Sequence, residues 1–336
     1  MNDLSNDEFR NVFSWSNSRH NAFNDCKRKY YFQYYGFWDG WENDAPERVK
    51  TIYRLKKLNS RHTWKGTIIH EAIAFLLKSL FENETLDIEE FKEAVVNKMR
   101  DQYRSSNSGN YKTDPKNNFG LLEHYYEEEI DDKTWQLLRD DVIRSIDNFR
   151  GSKFWEKAQS LPQDDCLSLE GDLKGSENIW KNISSDLNTW KNLPSGKPDT
   201  FSVGGIKVWV KLDFAYPEED SVQIIDWKSG NSKKEPDPTQ LNIYGYYASK
   251  VWGVTEEKVQ LTAYNVNQDE QYDRTFSKEQ KQVTREKILN SVDTMKEMLA
   301  DKDANQAEEK DFPKVDNDNF CRHCRFRQVC KPELVE

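Results

Sequence analysis

Leu212-Asp213, then Ile225-Asp226-Trp227-Lys228-Ser229-Gly230, then Gln240-x-x-x-Tyr244: this stretch decides how the chain is read. From Ile206 to Tyr216 the residues alternate, with Val208, Val210 and Leu212 on one face and Trp209, Lys211 and Asp213 on the other, the period-two pattern of a strand. Ser221 to Lys228 repeats the pattern and puts Asp226 and Lys228 on a common face, while the turn-formers Pro217, Glu218, Glu219 and Asp220 separate the two runs. The hairpin this predicts sets Asp213 nearly opposite Asp226. Directly opposed side chains lie roughly 4.5–5.5 Å apart at Cβ, so two carboxylates there repel unless something positive sits between them. A divalent cation meets that demand. Taken singly, Asp213 beside Lys211 and Asp226 beside Lys228 are ordinary solvated charge pairs. The flanking residues tip the reading: the strand carrying Asp226 is otherwise apolar (Val222, Ile224, Ile225), so its acid and lysine fall where a buried or half-buried strand ends.

Asp213, the Asp226-Trp227-Lys228 tripeptide and the Gln240-x-x-x-Tyr244 helix resemble the motifs of the PD-(D/E)XK nuclease superfamily, specifically its RecB/AddB-type branch. There the tripeptide usually reads Asp-Tyr-Lys and is followed by Ser or Thr and Gly; here a Trp replaces the Tyr. In that family a helical His preceded by a Gly-containing turn comes well before the hairpin, and Gly66-Thr67-Ile68-Ile69-His70-Glu71 is similar. Ile69, Ile73, Leu76, Leu77 and Leu80 recur at a period near 3.6, which predicts a helix packed on one side with His70 beside that side. By residue type alone His70 reads as a structural histidine; its place in the series raises it.

The resemblance implies an α/β fold: a central mixed β-sheet of the restriction-endonuclease-like type flanked by helices. It implies that Asp213 and Asp226, with the Trp227 carbonyl and His70, bind Mg²⁺ or Mn²⁺, ions suited to hard oxygen ligands. Lys228 is implied as the residue that orients or deprotonates a water, and Gln240 and Tyr244 as residues that position the backbone at the site. An upstream acid near the metal corresponds weakly to Glu170, which closes an alternating piece, Cys166 to Leu173, expected as the first strand of the sheet.

Five cysteines occur, and Cys321, Cys324 and Cys330 form Cys-x2-Cys-x5-Cys. A compact Cys-x2-Cys without a signal peptide reads as metal or redox chemistry rather than a disulfide framework. Three thiolates leave a four-ligand site one short, and Cys26 is the obvious fourth, in a helical segment expected from Ser18 to Tyr35 where Phe23, Cys26, Tyr30 and Tyr34 follow a stripe. Four cysteines serve zinc as well as iron, and His323 offers an alternative nitrogen. RecB/AddB-type nucleases, and the iron-sulfur nucleases of CRISPR adaptation, resemble this arrangement of one N-terminal and three C-terminal cysteines. That resemblance implies a [4Fe-4S] cluster on Cys26, Cys321, Cys324 and Cys330, the C-terminal Cys-rich segment closing onto the N-terminal helix. Cys166, in a short apolar stretch, reads as a small core residue.

A formal net charge of −10 argues against a general nucleic-acid binder. Its distribution matters more: residues 1–70 hold twelve Lys/Arg against eight Asp/Glu, and residues 321–331 hold four basic residues and no acid. The cysteine-bearing ends are thus basic, and there phosphates would be received. The acid runs Glu127-Glu128-Glu129 and Asp131-Asp132 read as solvated helix faces. No apolar run approaches the roughly 20 residues that span a bilayer, so a soluble, cytoplasmic protein is expected. Aromatics reach 13 %, many before residue 65, and are expected mostly as packed core, with exposed members available to stack on bases.

Along the chain, residues 1–160 read as a mostly helical part with the first cluster cysteine and His70. Residues 161–300 read as the nuclease core, with an insertion at about 171–200 marked by Trp180-Lys181-Asn182 and Trp190-Lys191-Asn192. Residues 301–336 read as an acidic loop and the iron-sulfur segment. A mobile loop is expected over Ser105 to Phe119, strands over Lys258 to Val266 and Tyr272 to Phe276, and a capping box at Ser277-x-x-Gln280 before a long helix. The leading expectation is a Mg- or Mn-dependent deoxyribonuclease acting on DNA ends or single strands. Gly196-Lys197-Pro198 lacks the upstream glycine of a phosphate loop, so unwinding would come from a partner such as a helicase or another DNA-processing protein. A second expectation, of a different class, is a non-catalytic nucleic-acid-binding or assembly subunit; the presence of Asp213, Asp226 and Lys228 together weighs against it. A third, a zinc-stabilised interaction protein, is last.

Overall fold

A computed structural model describes residues 11–162, 166–169, 199–232 and 234–335. Helices α1 (Asn17–Asp25), α2 (Lys27–Tyr34), α3 (Glu47–Lys57), α4 (Arg61–Phe81), α5 (Ile88–Ser108), α6 (Leu122–Tyr125), α7 (Asp132–Arg150) and α8 (Lys153–Ser160) come first. Strands β1 (Ser168–Leu169), β2 (Asp199–Val203), β3 (Ile206–Val210), β4 (Phe214–Glu218) and β5 (Ser221–Lys228) follow, then α9 (Thr239–Tyr247), β6 (Val259–Asn265), β7 (Glu270–Thr275), α10 (Lys278–Glu297), α11 (Asp318–Arg322) and α12 (Arg327–Cys330). The chain groups into two compact units, each assembled from separate stretches. One comprises residues 1–57, 202–209 and 285–336; the other comprises residues 58–201 and 210–284.

The second unit carries a five-stranded sheet in the order β1-β4-β5-β6-β7. Neighbours are antiparallel except β5 and β6, which run parallel. A parallel pair needs a crossover, and α9 lies in it. The sheet is mixed, as expected, and β5 is its middle strand. One face packs on α4, α7 and α8 through a single apolar cluster that includes Ile69, Ile73, Leu76, Val142, Phe149, Phe154, Phe214 and Trp227. Trp227 sits edge-on to Phe149, Phe154 and Tyr264 with ring centroids 5.3, 5.8 and 6.2 Å away. Each such fully buried large side chain contributes about 2–3 kcal/mol. Pinning β5 by its own Trp fixes the two residues that flank it.

In the first unit, α1 and α2 meet at Cys26, and the aromatic residues of the N-terminal region pack inward: Trp15, Phe23, Tyr30 and Phe32 are buried, while Trp41 is 39 % exposed. Trp15 adds to β3 by bonds from its N–H to the Lys207 carbonyl and from the Trp209 N–H to its own carbonyl, both 2.8 Å. Phe312 lies among the rings of Tyr30, Tyr31 and Tyr35. Among the described residues no helix is long and apolar enough to cross a membrane.

Local structure departs from expectation in four places. The run Ile206–Tyr216 is two strands, because Lys211–Asp213 leave the strand conformation between β3 and β4 and β3 pairs with β2 in a separate two-stranded sheet. The expected helix Ser18–Tyr35 breaks at Cys26, whose extended backbone (φ −164°, ψ 122°) ends α1 and caps α2. Residues 105–119 are not an open loop: α5 runs to Ser108, Gly109 closes it in the left-handed region (φ 76°), and Tyr111 is buried. Gly66 lies inside α4 rather than in a turn before it. The Ser277/Gln280 capping box forms as expected, with bonds of 2.8 and 3.2 Å.

Candidate functional site

The β4–β5 ladder runs from Glu218 opposite Ser221 to Phe214 opposite Ile225. One step further along that register stands Asp213 opposite Asp226. The two-residue connection Glu219-Asp220 sets this register, with Glu219 in the left-handed region (φ 52°). Both carboxylates are buried. Burial of two acids so close is costly unless each is compensated. Asp213 Oδ2 accepts from the Trp227 N–H at 2.8 Å, and its Oδ1 lies 3.4 Å from His70 Nδ1. Asp226 Oδ2 lies 2.5 Å from Lys228 Nζ, yet it is a buried oxygen that accepts no aligned hydrogen bond. An oxygen in that condition retains lone pairs for a cation.

Lys228 is held from its other side. Its Nζ donates to Gln240 Oε1 at 2.9 Å, Gln240 Nε2 donates to the Tyr244 hydroxyl at 2.6 Å, and that hydroxyl donates to the Lys211 carbonyl at 2.5 Å. The chain fixes every direction of donation. A carbonyl can only accept, so the Tyr244 proton goes to Lys211, the hydroxyl accepts from the amide nitrogen, and the amide oxygen must face the lysine. The i, i+4 spacing on α9 brings Gln240 and Tyr244 together as the sequence predicted. Lys211, whose carbonyl ends the chain, carries no side-chain signal that would have marked it.

His70 lies on α4 and reaches Asp213, as its place in the series suggested. One turn earlier, a Cβ at Gly66 would stand 3.1 Å from Ser229 Oγ, so the missing side chain lets α4 lie against the residue after Lys228. The Trp227 side chain points away from the carboxylates into the core, which explains why Trp can stand where the resembling family has Tyr. Glu170 and the segment 171–198 lie outside the described residues.

Cys26, Cys321, Cys324 and Cys330 line one small cavity in the first unit, together with Lys29, Lys314, Arg327 and Lys331. Cys26 arrives there because it caps α2, its Sγ accepting from the Lys29 N–H at 3.5 Å. Burial pushes the Cys330 thiol up to about 11 and raises Cys321 and Cys324, while Lys314 acts in the opposite direction on Cys330, Lys331 on Cys321 and Lys29 on Cys324. All five cysteines are free of disulfides. Cys166 is buried in the core of the second unit, as expected for a small apolar residue. Exposed His323 does not line the cavity. Of the arginines in the basic stretch 321–331, Arg327 is buried beside the cysteines, Arg325 donates to the Lys56 carbonyl at 3.1 Å, and Arg322 is exposed.

Among the described residues no three His, Cys, Asp or Glu side chains gather closely enough around one point to hold an ion by themselves. Residues 14–331 match the family model described as the PD-(D/E)XK nuclease superfamily. No curated protein matches the chain.

Proposed function

The chain belongs to the PD-(D/E)XK nuclease superfamily, whose members are in general metal-dependent nucleases, and from that premise we propose that it hydrolyses phosphodiester bonds of DNA at the site of Asp213, Asp226 and Lys228. The single observation that carries this reading is the opposition of Asp213 and Asp226 at the end of the middle strand, with Lys228 two residues on. Asp213, Asp226 and the Trp227 carbonyl, with His70 beside them, would hold Mg²⁺ or Mn²⁺. The donor set fits: Mg²⁺ is usually bound through one or two carboxylates and keeps several waters, so a cage of three side chains is not required. When bound, the ion lowers the pKa of a water and offsets charge developing on the phosphate.

The protein's own groups do the rest. Lys228 Nζ, tethered by Gln240, presents a fixed positive charge where the phosphate oxygens become more negative, and it costs no reorganisation because the Gln240–Tyr244–Lys211 chain already orients it. His70 steadies Asp213, and the N–H of Trp227 holds the same carboxylate from across the strand pair.

In the first unit the four cysteines would hold a [4Fe-4S] cluster, placing the protein in the RecB/AddB-type iron-sulfur branch. Support comes from their shared cavity and from its lining by four basic side chains that suit an anionic cluster. DNA ends or single strands are the proposed substrate, with any unwinding supplied by a partner.

The test is anaerobically purified protein incubated with end-labelled single-stranded, duplex and circular DNA in Mg²⁺ or Mn²⁺. Metal-dependent cleavage of linear but not circular DNA is expected. Cleavage that persists in EDTA, or in Asp226→Ala and Lys228→Ala at the wild-type rate, would remove the site from the reaction.

A further inference from the structure

The segment after Lys228 leaves the sheet as Ser229-Gly230-Asn231-Ser232, and it is exposed at Gly230, Asn231 and Ser232. An exposed strand-to-helix connection next to a reacting centre would ordinarily be loose. Here it is held by a buried polar network. Lys65, only 6 % exposed, donates from Nζ to Asn231 Oδ1 at 2.9 Å and to Asp141 Oδ2 at 2.8 Å. Asn267, 3 % exposed, donates from Nδ2 to the same Asn231 oxygen at 2.7 Å, and its own Oδ1 accepts from Arg144 at 2.7 Å. Asn265 Nδ2 reaches the carbonyls of Gly230 and Ser232 at 3.0 and 3.3 Å, and the Val266 N–H donates to the Lys228 carbonyl at 2.8 Å.

The network closes a ring around the candidate site. Helix α4 touches Asp213 through His70 and touches the segment after Lys228 through Lys65 and the bare Cα of Gly66. Lys65 and His70 are separated by five residues, about 7.5 Å along the helix axis. The opposition of Asp213 and Asp226 completes the circuit through β4 and β5. Asn231 Oδ1 is where α4, through Lys65, and the turn after β6, through Asn267, both reach the segment after Lys228. Deleting that oxygen leaves the Lys65 ammonium to Asp141 alone and the Asn267 amide without its acceptor, costs that are large for buried polar groups.

Building on the functional reading above, we infer that Asn231 is a positioning residue for cleavage: its side-chain oxygen, held by Lys65 and Asn267, locks the Ser229–Ser232 segment so that Lys228 and α4 keep their places around the two carboxylates. The competing role for an exposed asparagine beside a nuclease site is direct contact with DNA through its amide nitrogen. The two roles make opposite demands on the side chain. Positioning needs only an acceptor oxygen, which aspartate retains; contact with a phosphate needs the donor, which aspartate lacks while adding a repelling charge.

The test compares wild type, Asn231→Ala and Asn231→Asp, with kcat and KM measured on labelled linear DNA in Mg²⁺ and amide hydrogen exchange measured over residues 228–232 without DNA. Asn231→Ala is expected to lower kcat by about ten- to a hundred-fold, the usual range for partners that orient a metal site. It should leave KM little changed and speed exchange across the segment. Asn231→Asp should restore both kcat and protection; kcat is the informative constant, because the added charge acts on KM through the DNA. An Asn231→Ala enzyme with wild-type kcat, or an Asn231→Asp enzyme slower than Asn231→Ala, would overturn the inference, the latter in favour of DNA contact. If wild type itself does not cleave, the functional reading fails, and unchanged exchange in Asn231→Ala would separately overturn the locking role.

Discussion

The carboxylate of Asp213 accepts the backbone N–H of Trp227 at 2.8 Å, across the strand pair and one step beyond its last ladder partners. The side chain thereby takes over where the backbone ladder ends and holds the peptide between Asp226 and Trp227. Structure and chemistry can be separated at this residue. Asp213→Asn keeps an acceptor oxygen and should fold with near wild-type stability while losing cleavage. Asp213→Ala leaves a buried N–H without its partner and should in addition cost about 1–3 kcal/mol in denaturant unfolding. Equal stability of the two variants would show that the bond does not matter to the fold.

Lys228 depends on its tether. Lys228→Ala should abolish cleavage with the fold intact. Tyr244→Phe removes the hydroxyl that orients Gln240 and should lower kcat by about ten-fold, in the range found for orienting partners of metal sites. Single-turnover rates measure this, and a Tyr244→Phe enzyme as fast as wild type would show that the lysine needs no orientation from α9.

The cysteine assignment predicts a spectrum. Protein purified anaerobically should be brown with broad visible absorption. Cys26→Ala should lose that absorption and melt at a lower temperature, whereas Cys166→Ala should keep it, since Cys166 lies in the other unit's core. Colour lost only with Cys166 would move the fourth ligand there; a colourless wild type that contains zinc would replace the cluster with zinc.

A pH prediction concerns Glu256. The bond from Lys281, then that from the Ser249 hydroxyl at 2.8 Å, hold its carboxyl down to about 2. Because the folded value lies below the unfolded one, the contribution to stability is fully present above the ordinary Glu range and is lost as pH falls from about 4.5 toward 2. Glu256→Gln should therefore destabilise by about 2 kcal/mol at neutral pH, and the gap from wild type should close on acidification. A gap independent of pH between 6 and about 3 would count against the charged bond.

Gly245 offers a test of packing behind Tyr244. A Cβ there would meet the Phe276 ring at 2.7 Å, and the contact is with a buried ring rather than a flexible tip. Gly245→Ala should cost about 1–3 kcal/mol despite its better helix propensity, as overpacked cores do. A neutral or raised melting temperature would show that α9 can shift.

Much of this was written in local pattern. Period-two alternation placed β5 at Ser221–Lys228, and the length of the turn made Asp213 face Asp226. Helical spacing joined Gln240 to Tyr244, the Ser277/Gln280 pair began α10, and cysteine spacing singled out three of the four cysteines that line one cavity. Such signals depend on residues a few positions apart, and a chain's own geometry reads them out. What the tertiary structure decided is of another kind. Cys26 belongs to a break between helices rather than a helical stripe, because its extended backbone is compatible with capping α2 and with the cavity. The strand through Lys211–Asp213 divides because its two halves pair with different strands. Arg327 is buried although its type and neighbours suggested an exposed phosphate contact. Asn231, Lys65 and Asn267 carry no motif at all; they meet at one oxygen only because α4, the turn after β6 and the segment after Lys228 converge there, and a buried donor or acceptor finds its partner by proximity in space, which the order of residues along the chain does not contain.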